Sequence, residues 1–596
     1  MKKIKLIIII LILLCLTGCK ANGINDGIGS NDHSSNQNSE SYNDQDKDAT
    51  LGENNSQNDN NQDGNHQGGN SEIENIQNGN DQSDNNQSGS GQNSAEYDGN
   101  NQVQDDQNGN GENGNNASEN CKNHADADDN DYCDLCQAYL RIYVDFYSIN
   151  DLHGKIKDGD SHPGVDELTT YLKNANKTDD YVVLISPGDM WQGSSESNLT
   201  KGMLTTDWMN DLDFAAMTLG NHEFDWGQEY IRANQNIAEF PFLAINVYSR
   251  STNKLVDYCR PSTIVTAGDV KIGIIGAIGD CYSSISSDKV TDIYFKVGNE
   301  LTELVKAESN KLRAEGVDCI VYVLHDGYGQ SQSNDAIPFS QIKSYYDVAL
   351  SNGYVDLVFE GHTHQSYILK DQYGVYHIQH GGDNYKGISH IEIGVNYVTD
   401  KVHVSLTQLI KKETYQNLAD DAIVAELLNK YKDQVSLGDE VLGKNRTYRN
   451  DDFICQTVAD LYYETGMKLW GDKYKIALGG GFLNVRSPYS LSAGNVTYAM
   501  LQSLLPFDND LVLCSIKGRD LLNKFYNSNN NNYFISYGDY GEYLRNQINP
   551  NEIYYIVVDS YTSLYAPNKL TEIERYDAGI YSRDLFAEFV RMGGLE

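Results

Sequence analysis

Five short apolar runs in this chain end in the same way, on an acid, amide or imidazole held beside a glycine. Arg141–Ser148 is followed by Asn150-Asp151-Leu152-His153-Gly154, and Tyr181–Ser186 by Pro187-Gly188-Asp189. Phe214–Thr218 leads into Gly220-Asn221-His222-Glu223-Phe224-Asp225. Cys319–Leu324 ends on His325-Asp326-Gly327, and Asp356–Phe359 on Glu360-Gly361-His362-Thr363-His364. Strand ends carry the chemistry of open α/β sheets, because a turn there pins polar groups that the sheet itself cannot accommodate. Two more strands are expected over Lys271–Ile275 and Val375–Gln379, with helices over Asp166–Asn174 and Glu303–Arg313. Strands alternating with helices give an α/β layered plan.

Each motif alone has an ordinary explanation. Asp151 could cap a helix, and His325 could be a hydrogen-bonded histidine behind a strand. The five together, in order, are hard to assign to capping and packing. Asp-x-His and His-x-His spacings put two side chains on one side of an extended segment, since side chains there alternate with period two. Carboxylate, amide and imidazole donors in this mixture suit zinc, manganese, iron or cobalt better than calcium or magnesium. Asp151, His153, Asp189, Asn221, His325, His362 and His364 exceed the needs of one ion. They would serve two ions sharing a bridging carboxylate, an arrangement that clamps the attacking and leaving oxygens of a phosphoryl displacement.

The start of the chain gives an address. Met1-Lys2-Lys3-Ile4-Lys5 is basic, Leu6–Leu14 is apolar, and Leu16-Thr17-Gly18-Cys19 has the form of a lipobox. The apolar run is too short to span a bilayer, so residues 1–19 are expected to be a bacterial lipoprotein signal peptide and Cys19 the lipidated residue on the extracytoplasmic face of the cell membrane. Residues 20–120 are almost entirely Asn, Gln, Gly, Asp and Ser, and cannot bury enough apolar surface to offset chain entropy; they read as a solvated spacer. The formal charge of −40 partly reflects this tract, and with no Lys/Arg cluster it argues against binding a nucleic acid duplex. Residues 121–138 form a small knot rich in Cys, His and Asp. Cys121, His124, Cys133 and Cys136 could hold a structural zinc; the exported setting also allows a disulfide, and the alternating aspartates allow calcium. Cys319 and Cys514 lie in apolar runs and read as core. About 450 residues remain, too many for a single core, so two domains are expected, at 139–411 and 437–596. Apolar spacing over Asn417–Val435 gives an amphipathic linking helix within 412–436.

The ordered set of strand-end motifs, with Gly188-Asp189-Met190-Trp191-Gln192-Gly193-Ser194 and Asn198-Leu199-Thr200-Lys201-Gly202, resembles the calcineurin-like metallophosphoesterases. Among them it is similar to the bacterial 5'-nucleotidase/UDP-sugar hydrolase/2',3'-cyclic phosphodiesterase branch. The resemblance implies a metallophosphoesterase β-sandwich flanked by helices, followed by a smaller α+β substrate-binding domain. It implies one metal on Asp151, His153, Asp189 and His364, and a second on Asn221, His325 and His362 with Asp189 as bridge. His222, oriented by Asp225, would stabilise charge on the phosphoryl group or the leaving oxygen.

The second domain resembles the C-terminal domain of 5'-nucleotidases, where a glycine loop and arginines hold the substrate and two aromatic rings sandwich the base. The matching residues are Ala477-Leu478-Gly479-Gly480-Gly481-Phe482, Arg486, Phe507 and Tyr561, with Arg446 or Arg449 as an earlier arginine. Three features depart from the family: Leu478 stands where it has Asn, extra residues precede Arg486, and its late Gly-Gly-Asp-Gly segment is missing. The implied activity is hydrolysis of nucleotides by metal-activated water, in nucleotide catabolism or scavenging, in a bifunctional family. Two alternatives stay open: a cyclic phosphodiesterase or phosphatase for a non-nucleotide ester, and an inactive surface-binding lipoprotein.

Overall fold

A computed structural model of the chain describes residues 123–158, 164–178, 181–329, 346–382, 387–486, 488–526, 533–537, 545–565, 570–576 and 580–596. The expectations for the signal peptide, Cys19, the spacer and Cys121 lie outside the described residues. All elements below belong to one compact unit, 109–596.

Two six-stranded sheets make the first part. One has the order Lys401–Lys411, Gly387–Asn396, Arg141–Ser148, Val182–Ser186, Ala216–Thr218, Phe242–Leu243. The other has the order Ser366–Lys370, Tyr376–His380, Leu357–Glu360, Cys319–His325, Val270–Ile278, Ser262–Ala267. The central strands of each sheet are parallel, so their C-terminal ends emerge along one edge.

Alternation builds three apolar layers from these strands. Val144, Phe146, Val183 and Ile185 of the first sheet meet Cys319, Val321, Val323 and Phe359 of the second in the core between the sheets. Ile320, Tyr322 and Leu324 turn the other way, onto Val305 and Leu312 of the helix Asn299–Ala314. Tyr147 and Leu184 pack on the opposite outer face with Leu168 and Leu172 of the helix Asp166–Thr178. Every strand expected from the sequence is present, with ends shifted by a few residues. The two long strands Gly387–Asn396 and Lys401–Lys411, paired as a hairpin, were not expected. Lys401–Lys411 forms the edge of its sheet and alternates half-exposed and exposed residues, so it lacks an apolar run.

The linking helix is shorter than its periodicity suggests. It runs over Ala422–Lys430, with a final turn at Lys432–Val435, because the Asp421 side chain accepts the N–H of Ile423 at 3.0 Å and fixes the start. Val424, Leu427 and Tyr431 bury into the core of the first part.

The second part holds a five-stranded sheet of order Tyr533–Ser536, Ile476–Phe482, Ile553–Asp559, Leu511–Lys517, Thr571–Tyr576. The helices Asp451–Trp470 and Ser582–Arg591 cover it. The glycine run Gly479-Gly480-Gly481 is strand here, not the substrate-holding loop implied by the family likeness. A Cβ on Gly479 would lie 2.3 Å from Tyr463 N, one on Gly480 2.1 Å from Phe534 O, and one on Gly481 2.4 Å from Thr562 Oγ1. These glycines let two helices and a neighbouring strand approach one strand closely. Among the described residues no helix is long and apolar enough to cross a membrane.

Candidate active site

The strand ends of both sheets converge on one point. His153 Nε2 lies 3.1 Å from His364 Nε2, and His364 Nε2 lies 3.4 Å from Asp151 Oδ1. His325 Nε2 is 3.2 Å from Asp189 Oδ2 and 3.1 Å from Asn221 Oδ1, which is 2.9 Å from His362 Nδ1. Asp151, His153 and His364 form one group of clustered ligand atoms, and Asp151, Asp189 and His325 another. Cys281 joins His325 and His362 in a third, with its Sγ donating to the His325 carbonyl at 2.9 Å. All seven residues expected to hold metal are therefore neighbours.

The route to that convergence differs from the sequence argument. Asp151, His153, Asp189, His362 and His364 are not in extended segments; their φ values are 52°, 51°, 56°, 69° and 55°. Left-handed backbone folds each strand end back on itself, so residues two apart aim at one point through a kink rather than through strand alternation. Asp and His are not the residues this conformation favours most, and clustered strain of this kind is characteristic of ligand-holding loops.

Glu223 organises the turns. Its buried carboxylate accepts the backbone N–H of Gly220 at 2.7 Å, Asp189 at 2.9 Å and Met190 at 2.8 Å, which ties the Asp189 turn to the Asn221 turn. Burial and the neighbouring Asp189 push this carboxyl up to about 7. Gly220 allows the close approach: a Cβ there would stand 2.2 Å from Asp189 Oδ1 and 2.6 Å from His325 Cε1. Sequence reasoning passed over Glu223, although it sits inside the Gly-Asn-His-Glu motif; nothing in its spacing distinguishes an acid that accepts N–H groups from one that binds metal. Pro187 and Gln192 contribute only main-chain carbonyls and left no signal.

The donor set fits divalent cations. His153 Nδ1 donates to the Gln192 carbonyl at 2.7 Å, and His325 Nδ1 to the Pro187 carbonyl at 2.7 Å, so each ring turns its Nε2 inward. Burial, then His364, hold His153 down at about 3, and burial with His325 holds His362 at about 4, which keeps both rings neutral. Burial alone would raise Asp151 and Asp189, but His364 beside the first and His325 beside the second keep both below the usual carboxylate range. His325 shows how strongly the site favours positive charge: burial opposes its protonation, yet Asp189 brings it up to about 10. Asp189 Oδ2 is buried, with the His325 ring nitrogen 3.2 Å away. Inward-facing nitrogens about buried carboxylate oxygens are the surroundings a cation needs.

His222 stands at the rim. Its N–H donates to Asp189 Oδ1 at 2.9 Å and its Nδ1 meets Asp225 Oδ2 at 2.7 Å. Burial disfavours its charge, but Asp225 and Asp189 outweigh burial and raise its pKa. A cavity of about 220 Å³ opens beside it, lined from the first part by Asn221, His222 and Lys289 and from the second by Arg486, Phe507 and Tyr561. Phe507 stacks on the His222 ring at 5.9 Å, and the Arg486 guanidinium lies over the Phe507 ring, 5.3 Å from its centroid. Tyr561 lies 6.2 Å from Phe482. Arg446 and Arg449 are not brought to this cavity: Arg446 is exposed, and Arg449 sits over Phe453 at 4.2 Å while its backbone pairs with Leu491. Lys289 and Asp559, also in the lining, were not foreseen, because a loop lysine and a strand-end aspartate carry no motif.

Comparison with known proteins agrees with this geometry. Residues 146–366 match the calcineurin-like phosphoesterase family. The chain is 27% identical over 384 residues to protein UshA of Yersinia enterocolitica, covering 57% of this chain and 67% of the relative. It is 25% identical over 403 residues to the snake venom 5'-nucleotidase of Gloydius brevicauda, covering 63% of this chain and 66% of the relative. These alignments span about two thirds of each relative. The crystal structure of a 5'-nucleotidase precursor from Thermus thermophilus superposes with a TM-score of 0.55 at 19% identity, over 76% of this chain and 96% of that one, and shares the fold.

Proposed function

We propose that this chain, whose residues 146–366 match the calcineurin-like phosphoesterase family, is a metal-dependent phosphoric ester hydrolase, a dinuclear-metal nucleotidase tethered by lipid outside the cytoplasm. The observation that carries the reading is the junction of Asp151, His153, Asp189, Asn221, His325, His362 and His364 with a cavity that also exposes His222, Arg486 and Phe507. Bound on these residues, two divalent cations supply Lewis-acid stabilisation of phosphoryl oxygens and lower the pKa of a water nucleophile.

The chain's own residues do the rest. Asp151, His153 and His364 would hold one ion, Asn221, His325 and His362 the other, and Asp189 would be shared between them. His222, held by Asp225, offers positive charge to the phosphoryl or leaving oxygen. Arg486 neutralises phosphate, and Phe507 and Tyr561 present aromatic surface to a base, which stacks on any π-face. Cys19 would carry the attached lipid, and residues 20–120 would serve as the spacer.

The test is phosphate release from AMP, UDP-glucose, 2',3'-cyclic AMP and an aryl phosphate by manganese- or zinc-loaded protein, with Asp189→Ala as the blank. Preference for a nucleotide, lost in the variant, supports the nucleotidase. Turnover of the aryl phosphate alone keeps the metal chemistry and rejects the nucleotide.

A further inference from the structure

Far from the catalytic cluster, at the point where the chain enters its first strand, three further ligand-type side chains meet. His124, Cys133 and Cys136 bring their ligand atoms within 4.8 Å of one another, with Cys136 Sγ 3.6 Å from His124 Nδ1. The catalytic reading uses none of them.

Their backbone is shaped for a thiophilic ion. Tyr132 and Tyr139 pair as a bridge, Cys133 N donates to Ala138 O at 2.8 Å, and Gln137 N donates to Cys133 O at 2.8 Å. The Cys-x-x-Cys turn therefore forms the tip of a small knuckle, the spacing that lets two thiolates share one ion. Cys133 is fully buried, and among the described residues Cys133 and Cys136 form no disulfide.

The aspartates of the same segment are committed elsewhere. Asp126 accepts the N–H of Asn130 at 2.9 Å, that of Asp131 at 3.1 Å and the Asn396 side-chain amide at 2.7 Å. Asp131 pairs with Arg141 at 2.6 Å, Asp129 with Lys401, and Asp134 accepts the N–H of Ala127 at 2.8 Å. These contacts bind the segment to the edge of the first sheet, and the His124 ring lies edge-on to Tyr397 at 6.0 Å. Carboxylates already paired with protein cations and N–H groups make a poor calcium cage, whereas the two sulfurs and the imidazole face one another.

We propose that His124, Cys133 and Cys136 bind a zinc-class ion that locks the entering peptide onto the sheet edge, a structural site separate from the catalytic metals. Both thiols lose their protons on binding, so the ion is held as a thiolate complex. It serves as a clasp between the N-terminal region and the catalytic fold.

The experiment compares the full chain with Cys133→Ser/Cys136→Ser, and with His124→Asn as a milder second variant. Metal content by mass spectrometry is expected to fall by about one zinc equivalent per chain in the double variant. Cobalt-loaded wild-type protein is expected to show a sulfur-to-cobalt charge-transfer band that the double variant lacks and His124→Asn shifts. Aryl phosphate turnover is expected to stay within about twofold, since none of these residues approaches the catalytic cluster. A charge-transfer band unchanged in both variants, an alkylation pattern showing Cys133 and Cys136 oxidised as isolated, or calcium as the ion lost would overturn the proposal.

Discussion

At the residue scale the account rests on divided roles within one turn. Asn221 faces the ligand cluster, His222 faces the cavity, and Glu223 faces inward to collect main-chain N–H groups. Their substitutions should therefore separate. His222→Ala is expected to lower kcat by about 10²–10³ while metal content is unchanged, which metal analysis beside steady-state kinetics will read. Glu223→Ala leaves buried N–H groups without an acceptor and is expected to cost about 1–3 kcal/mol of stability, with metal affinity weakened about 10–100-fold. Thermal melts and metal titration distinguish this outcome from that of His222→Ala. A third residue gives a pH signature. His377 is fully buried between Glu360, at 3.0 Å, and Asp371, at 3.4 Å. Burial works against its charge, yet Glu360 and Asp371 raise it from 6.5 to about 9. A raised histidine stabilises the fold fully below pH 6.5 and loses that contribution as pH climbs through 9, about 3 kcal/mol in all. Denaturant unfolding of wild type should weaken over that window, and the loss should be absent from His377→Gln.

At the element scale, apolar runs with period-two alternation made the central strands legible, and the polar residues at their ends made the site legible. Cys319 and Cys514 are core, as their surroundings in the sequence imply. What the sequence hid was geometry set by backbone. The left-handed turns at Asp151, His153, Asp189, His362 and His364 have no distinct compositional sign, since Asp and His also fill ordinary strand, helix and loop positions. The glycine run at 479–481 illustrates the converse: glycines that suggest a loop here line a strand, because a helix crosses it too closely for a side chain. Gly479→Ala should consequently destabilise the second part by at least about 1–3 kcal/mol through overpacking, measured by its unfolding transition, with the catalytic cluster's metal affinity unaffected.

At the scale of the whole molecule, the cavity exists only where the two parts meet, so their junction governs substrate access. Asp508 binds Lys201 of the first part at 2.8 Å and Arg583 of the second, while Asn198 donates to the Gln502 carbonyl at 3.1 Å. Lys201 also lies 4.9 Å from the Trp226 ring centroid. Lys201→Met removes the cross-junction charge and keeps the Asp508–Arg583 pair, so KM for a nucleotide is expected to rise several-fold, with hydrolysis of a small aryl phosphate little changed. The claim on which everything else depends is that the seven convergent ligands hold two catalytic ions. It is tested most directly by adding manganese to chelator-stripped protein while recording bound metal and phosphate release together. Turnover that appears as the second manganese binds, and vanishes with both ions in Asp189→Ala, is the expected result; full turnover with the site stripped, or undiminished in Asp189→Ala, would contradict it.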